Sequence, residues 1–135
     1  MNPRHKVFEL EQANALVPQL ELLLAQWEAK YDAFRRLEDE LFFMELVDGH
    51  APPEECLQEL EKALLILEEE IQKIRELGCI LRHVERGLVD FLGRRDEGWI
   101  YYCWQRGERE IQFYHNLRGG FFERRPLPGK ESSSI

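Results

Sequence analysis

Six residues, Asp48-Gly49-His50-Ala51-Pro52-Pro53, decide much of the architecture, because they separate two long stretches of helical period. The glycine suits a left-handed helix end, and the paired prolines forbid one helix from running through. Upstream, Leu16, Leu20, Leu24, Trp27, Tyr31, Phe34, Leu37, Leu41 and Met44 recur in steps of three and four. That spacing predicts a helix from near Leu10 to about Leu46. Pro18 falls early in it, in its first turn or at a kink after one initial turn. Downstream, Leu57, Leu60, Leu64, Leu67, Ile71 and Ile74 form a heptad seam, and Gly78 is the stop. The second helix is therefore expected over about Pro53–Leu77, with Pro53, Glu54 and Glu55 suited to its N-terminus. Two long helices joined by a short turn lie side by side and antiparallel.

One seam cannot bury everything. Leu23, Leu65 and Ile66 fall off it, so a second surface is needed. A short sheet cannot cover helices on the order of 40–55 Å long. A homodimer through the helical hairpin is the expected partner arrangement.

From Cys79 the texture becomes aromatic and β-branched, with glycines between. Strands are expected at 79–84, 88–95, 99–104 and 108–115. Asp96-Glu97-Gly98 and Gln105-Arg106-Gly107 read as three-residue hairpin loops with glycine last, and Glu85-Arg86-Gly87 is similar. The fold class is α+β: a long antiparallel two-helix hairpin, then a three- to four-stranded antiparallel meander. Residues 1–128 form one domain, with 1–77 the hairpin and 78–128 the sheet and a covering tail. Residues 129–135 are expected to be disordered.

Hairpin loops set register, and register sets which side chains share a face. With three-residue loops, Trp104 lies opposite Asp90 on one side and Glu108 on the other. Val89, Phe91, Trp99, Tyr101, Cys103, Ile111 and Phe113 then share an apolar face that packs on the helices. Asp90, Leu92, Arg94, Ile100, Tyr102, Trp104, Glu108, Glu110, Gln112 and Tyr114 share the other. That second face mixes rings, acids and an arginine, which a plain solvent face does not need. Asp90, Arg94, Tyr102, Trp104, Glu108 and Arg124 are the candidate ligand-binding residues. Asp90 and Glu108 flank the Trp104 indole and could divide acid and base roles. A bland reading stands beside this: Asp90 pairs with Arg94 or a tail arginine, and Glu108 belongs to its turn.

Cys103, Glu108 and His115 are metal-ligand types, but in this register they do not form a set. Cys103 and Glu108 point to opposite faces, and His115 lies about six residue pairs from Cys103, roughly 20 Å at strand rise. No metal and no cofactor is expected. The three cysteines, Cys56, Cys79 and Cys103, are widely spaced and include no CxxC pair, which suits reduced thiols and a cytoplasmic protein. No apolar run approaches the ~20 residues that span a bilayer, and Met1–Lys6 opens no secretory signal. Residues 1–77 carry 8 basic against 18 acidic side chains, which argues against nucleic acid as a partner. Residues 78–135 carry 10 against 8, nine of the ten being arginine. Arg94, Arg118, Arg124 and Arg125 could therefore meet a phosphate-bearing partner locally. Three readings follow: a non-enzymatic interaction protein with a small-molecule or peptide site, a small enzyme built on Asp90 and Glu108, and an anion binder.

The chain resembles domain-of-unknown-function family 2203 over most of its length. Phe8-Glu9-Leu10-Glu11-Gln12-Ala13-Asn14-Ala15-Leu16-Val17-Pro18 is similar to that family's N-terminal motif. Gly87-Leu88-Val89-Asp90-Phe91, Tyr102-Cys103-Trp104 with Gly107-Glu108, His115, Gly120-Phe121, Arg124 and Pro126-Leu127 resemble its C-terminal signature. Leu92, Tyr114 and Glu123 depart from the pattern. The resemblance implies no activity; it places Asp90, Trp104, Glu108 and Arg124 at motif positions.

Overall fold

The computed structural model describes residues 6–96 and 98–129. The expectation of disorder over 129–135 therefore lies, beyond Gly129, outside the described residues, as does the start of the chain. The architecture is α+β: a long helical region followed by a five-stranded antiparallel sheet.

The first helical stretch is two helices, α1 (Leu10–Ala15) and α2 (Val17–Asp48). Glu9 caps α1 in a reciprocal box with Gln12, whose Oε1 accepts the Glu9 N–H at 2.9 Å. Leu16 breaks the path, and Pro18 sits in the first turn of α2, where its missing N–H costs nothing. Gly49, at φ 67°, closes α2 in the left-handed conformation. α3 (Glu54–Arg75) opens with Glu54 and Glu55 and ends with Lys73 and Arg75, acids at the positive end of its dipole and bases at the negative end.

α2 and α3 pack on each other. On α2 Leu20, Leu24, Trp27 and Leu41 are buried as the period predicts; Val17 rather than Leu16 is buried at the start, and Leu23, expected off the seam, is buried in the core. On α3 the seam is rotated from the leucine heptad. Leu60, Leu67 and Ile74 turn inward, but Cys56, Ala63 and Glu70 fill the intervening positions. Leu57 and Leu64 stay more than two-fifths exposed. Glu70 takes an inward position because Lys30 and Lys73 reach its Oε1 from the two helices. No described helix is long and apolar enough to cross a membrane.

The sheet runs in sequence order: β1 (Ile80–His83), β2 (Leu88–Arg95), β3 (Gly98–Gln105), β4 (Phe113–Asn116) and β5 (Arg125–Pro126). Its register differs from expectation at both central hairpins. Arg95 pairs with Gly98, so the β2–β3 connection holds two residues rather than three. Asp96 supplies the positive φ of 52° that the glycine was expected to provide. That one-residue change sets Asp90 opposite Cys103 and Val89 opposite Trp104. At the next hairpin, residues 108–112 are not strand, and Cys103 pairs with Phe113, Tyr101 with His115.

The faces change accordingly. Val89 and Phe91 turn toward the helices as expected, but their companions on β3 are Ile100, Tyr102 and Trp104. These pack with Val17, Leu20, Leu24 and Ile74 into the core. Trp104 is fully buried, its indole N–H donating to the Glu108 carbonyl at 2.8 Å. Trp99, Tyr101 and Cys103 lie on the far side, away from the helices, with Asp90, Phe113 and His115.

Candidate metal centre

Three strands deliver the site to the far face of the sheet. Asp90 comes from the middle of β2, Cys103 stands directly across from it on β3, and His115 comes from β4, diagonal to Cys103. All three are buried: 2 % exposed for Asp90, 0 % for Cys103 and 3 % for His115. One ligand atom from each lies within 4.8 Å of the others. A bulge in β1 leaves Arg82 outside the regular pairing, and its Nε donates to Asp90 Oδ2 at 2.9 Å. The Arg82 guanidinium lies over the Tyr101 ring, 4.9 Å from its centroid.

The chain between β4 and β5 folds back over this face. Leu117, Gly119, Gly120 and Phe121 line a pocket of about 330 Å³ with Arg82, Leu88, Asp90, Cys103 and His115. Arg124 stacks between the Phe113 and Phe121 rings, 4.0 and 4.2 Å from their centroids, and pairs with Glu108 at 3.3 Å. Leu127 is buried and donates its N–H to the Gln112 carbonyl at 2.8 Å. The expected tail cover is thus half met: Phe121 covers the site, while Phe122 is 91 % exposed.

Hydrogen bonding poses a problem at His115. Its Nδ1 lies 2.8 Å from the Asn116 carbonyl oxygen, which can only accept, so Nδ1 carries a proton. In the neutral ring Nε2 is then a bare lone pair. Yet Nε2 lies 3.0 Å from Asp90 Oδ2, another acceptor, and both side chains are buried. A proton, on the ring or on the carboxyl, or a metal ion has to stand between them. Asp90 Oδ1 is buried and has no hydrogen-bond partner among the described residues. Burial pushes the Cys103 thiol up to about 12, and the adjacent Asp90 carboxylate adds to the shift, so the free thiol is not a nucleophile. A bound cation reverses that preference, since it stabilises the thiolate.

The donor set fits a tetrahedral ion. At metal–ligand distances of about 2.0–2.3 Å, tetrahedral donors lie about 3.3–3.8 Å apart. The observed limit of 4.8 Å is wider than that, so an ion would draw the three donors together. The Asn116 carbonyl on Nδ1 and the Arg82 Nε on Asp90 are the kind of outer hydrogen bonds that orient metal ligands.

The sequence-derived candidates fall in several places. Asp90 is in the site. Glu108 and Arg124 meet each other beside it, but Glu108 does not line the pocket; its Oε1 accepts the Gln105 N–H at 2.7 Å. Tyr102 and Trp104 face the helices, so Asp90, Trp104 and Glu108 do not line up across one face, as the three-residue loops required. Arg94 stacks on Trp99 at the hairpin end, 4.9 Å from the ring centroid, and is not Asp90's partner. Arg82 holds that role. Cys103 and His115 are two residue pairs apart rather than six. The expectation of no metal rests on that larger separation and on Cys103 and Glu108 facing opposite ways; with Asp90 in place of Glu108, neither bars a site. A two-residue reading of the 96–97 turn, with Asp96 rather than Gly98 at positive φ, is the signal that would have set Asp90 opposite Cys103; bringing His115 in depends on 108–112 leaving the ladder.

The family model described as "Uncharacterized conserved protein (DUF2203)" matches residues 6–127. The chain belongs to the DUF2203 family. In this DUF2203 member the matched span contains all three candidate ligands, Arg82 and the covering segment through Leu127. No curated protein and no solved structure matches the chain.

Proposed function

We propose that the protein binds one divalent transition-metal ion per chain through Asp90, Cys103 and His115. The observation that carries this reading is the Nε2 of His115. Its partner at Nδ1 makes it a lone-pair donor, and it is aimed at a carboxylate and a thiol inside a buried pocket. A thiolate, an imidazole and a carboxylate suit Zn²⁺, whose sites mix these donors; hard ions such as Mg²⁺ and Ca²⁺ prefer all-oxygen shells. The competing arrangement is a protonated His115 ion-paired with Asp90. Cobalt(II) titration separates the two, because a cobalt–thiolate bond has its own charge-transfer band. That band should appear at one equivalent in the wild-type chain and vanish in Cys103→Ser. A titration with no thiolate band in the wild type leaves the imidazolium pair as the account of the cluster.

A second reading concerns the helices. Phe42, Phe43, Leu46 and Val47 near the end of α2, with Leu57, Leu64, Leu65 and Ile66 on α3, are each at least two-fifths exposed. This supports a homodimer in which a second copy covers the helical pair. A two-chain mass in native conditions is the expected result; a single-chain mass at micromolar concentration removes the reading.

A further inference from the structure

We infer that the metal site takes a small organic oxyanion, a carboxylate or phosphate head on a short apolar body, as its exogenous ligand. The inference rests on the metal reading above and extends it to the substrate class. Three protein donors leave one tetrahedral position for a ligand from outside, as in sites that do chemistry rather than hold a fold. The pocket shared by the three donors fixes where that ligand stands. Its volume of about 330 Å³ is at the small end for ligand sites, which fits a compact metabolite and not a polymer.

Charge selects an anion. In the loaded site the carboxylate of Asp90 and the thiolate of Cys103 balance a divalent ion, and His115 is neutral. Arg82 then stands as a surplus positive charge on the pocket wall. Arg124 adds nothing further, because Glu108 neutralises it at 3.3 Å. The Arg82 side chain is 42 % exposed while that of Asp90 is 3 %, so the guanidinium sits at the mouth with the carboxylate behind it. An incoming oxyanion meets Arg82 and the metal together, and the planar guanidinium suits its geometry. The rest of the wall is apolar or lacks side chains. Leu88, Leu117 and Phe121 offer hydrocarbon contact, and Gly119 and Gly120 add no side chain to the wall.

The test uses the cobalt(II)-loaded full chain, titrated separately with inorganic phosphate, acetate and butyrate while the ligand-field bands are recorded. A saturable change with phosphate or a carboxylate is expected, and butyrate should bind more tightly than acetate if the apolar wall is used. Arg82→Gln, held at cobalt concentrations that saturate it, should weaken the anion about tenfold or more, as for loss of a charge-assisted hydrogen bond. Cobalt bound with its thiolate band but indifferent to all three anions overturns this inference and leaves the metal reading standing. Anion binding undiminished in Arg82→Gln also overturns it, since Arg82 is the selecting charge. A chain that takes up no cobalt removes both.

Discussion

Gly93 tests the register on which the site depends. A Cβ at this position would overlap Tyr102 Cε2, lie 3.0 Å from Tyr102 Cδ2, and lie 3.1 Å from the Phe8 carbonyl oxygen. None of these can move freely. Tyr102 is 6 % exposed, and the Phe8 backbone is tied to β2 by its N–H to the Leu92 carbonyl at 2.7 Å. Overpacking of this kind costs about 1–3 kcal/mol, and the lost freedom of the unfolded chain returns only about 0.4–1 kcal/mol. Gly93→Ala should therefore destabilise by about 1–2 kcal/mol, a drop in Tm of about 3–12 °C for a domain of this size. The decisive assay is a double-mutant cycle read by thermal unfolding. In a Tyr102→Leu background Gly93→Ala should cost at least about 1 kcal/mol less, whereas a Tyr101→Leu background should leave the cost unchanged. The register with a three-residue loop puts Tyr101 beside Gly93 and reverses that pattern. Additive energies with Tyr102, or coupling with Tyr101, would refute the pairing that brings Asp90 to Cys103.

Glu70 gives a pH test in the helical pair: Lys30 foremost, and also Lys73, hold its carboxyl below its ordinary 4.5 against the opposing effect of burial. A depressed folded value means stability present above about 4.5 and lost as pH falls through the lower folded value. The deficit of Glu70→Gln relative to wild type should thus be full at pH 7 and shrink below pH ~4.5 in denaturant unfolding; a deficit that grows on acidification contradicts the pairing. Burial raises the Cys79 and Cys103 thiols to about 12, so alkylation of the native metal-free chain should modify the half-buried Cys56 first, and all three cysteines only after unfolding. Rapid native labelling of Cys103 would contradict a closed far face. Trp104→Phe removes the indole bond to the Glu108 carbonyl and strands that oxygen, at a cost of about 1–3 kcal/mol by denaturant titration; a neutral result would mean the turn at 105–108 does not lean on Trp104.

The helices were legible because their signals are local and repeated. The α2 period from Leu20 to Leu41, the Gly49 stop and the acidic start of α3 each act within a turn or two of chain. The α3 seam was less so: leucine at Leu57 and Leu64 suggested a heptad face, but the groove against α2 takes small or ion-paired residues at Cys56, Ala63 and Glu70. The sheet failed at two residues. Both faces of β3 carry aromatics, so alternation of Trp99, Tyr101 and Cys103 against Ile100, Tyr102 and Trp104 could not choose between them. Asp96 made the tight turn where Gly98 was expected to, and a slip of one residue turns every side chain over. Cys103 and His115 carry the right residue types. Their separation could not be read because 108–112 leaves the ladder, with Ile111 N–H donating instead to Asn14 Oδ1 at 2.7 Å. That bond joins residues far apart in sequence, and no local pattern announces it.

Native mass spectrometry of the chain with an equivalent of Zn²⁺ asks whether the three donors hold an ion. One zinc ion should be retained per chain, with retention lost in both Cys103→Ser and Asp90→Asn variants that keep the wild-type far-ultraviolet circular dichroism. A wild-type chain that holds no zinc, or variants that hold it as firmly as the wild type, would contradict a metal centre at Asp90, Cys103 and His115.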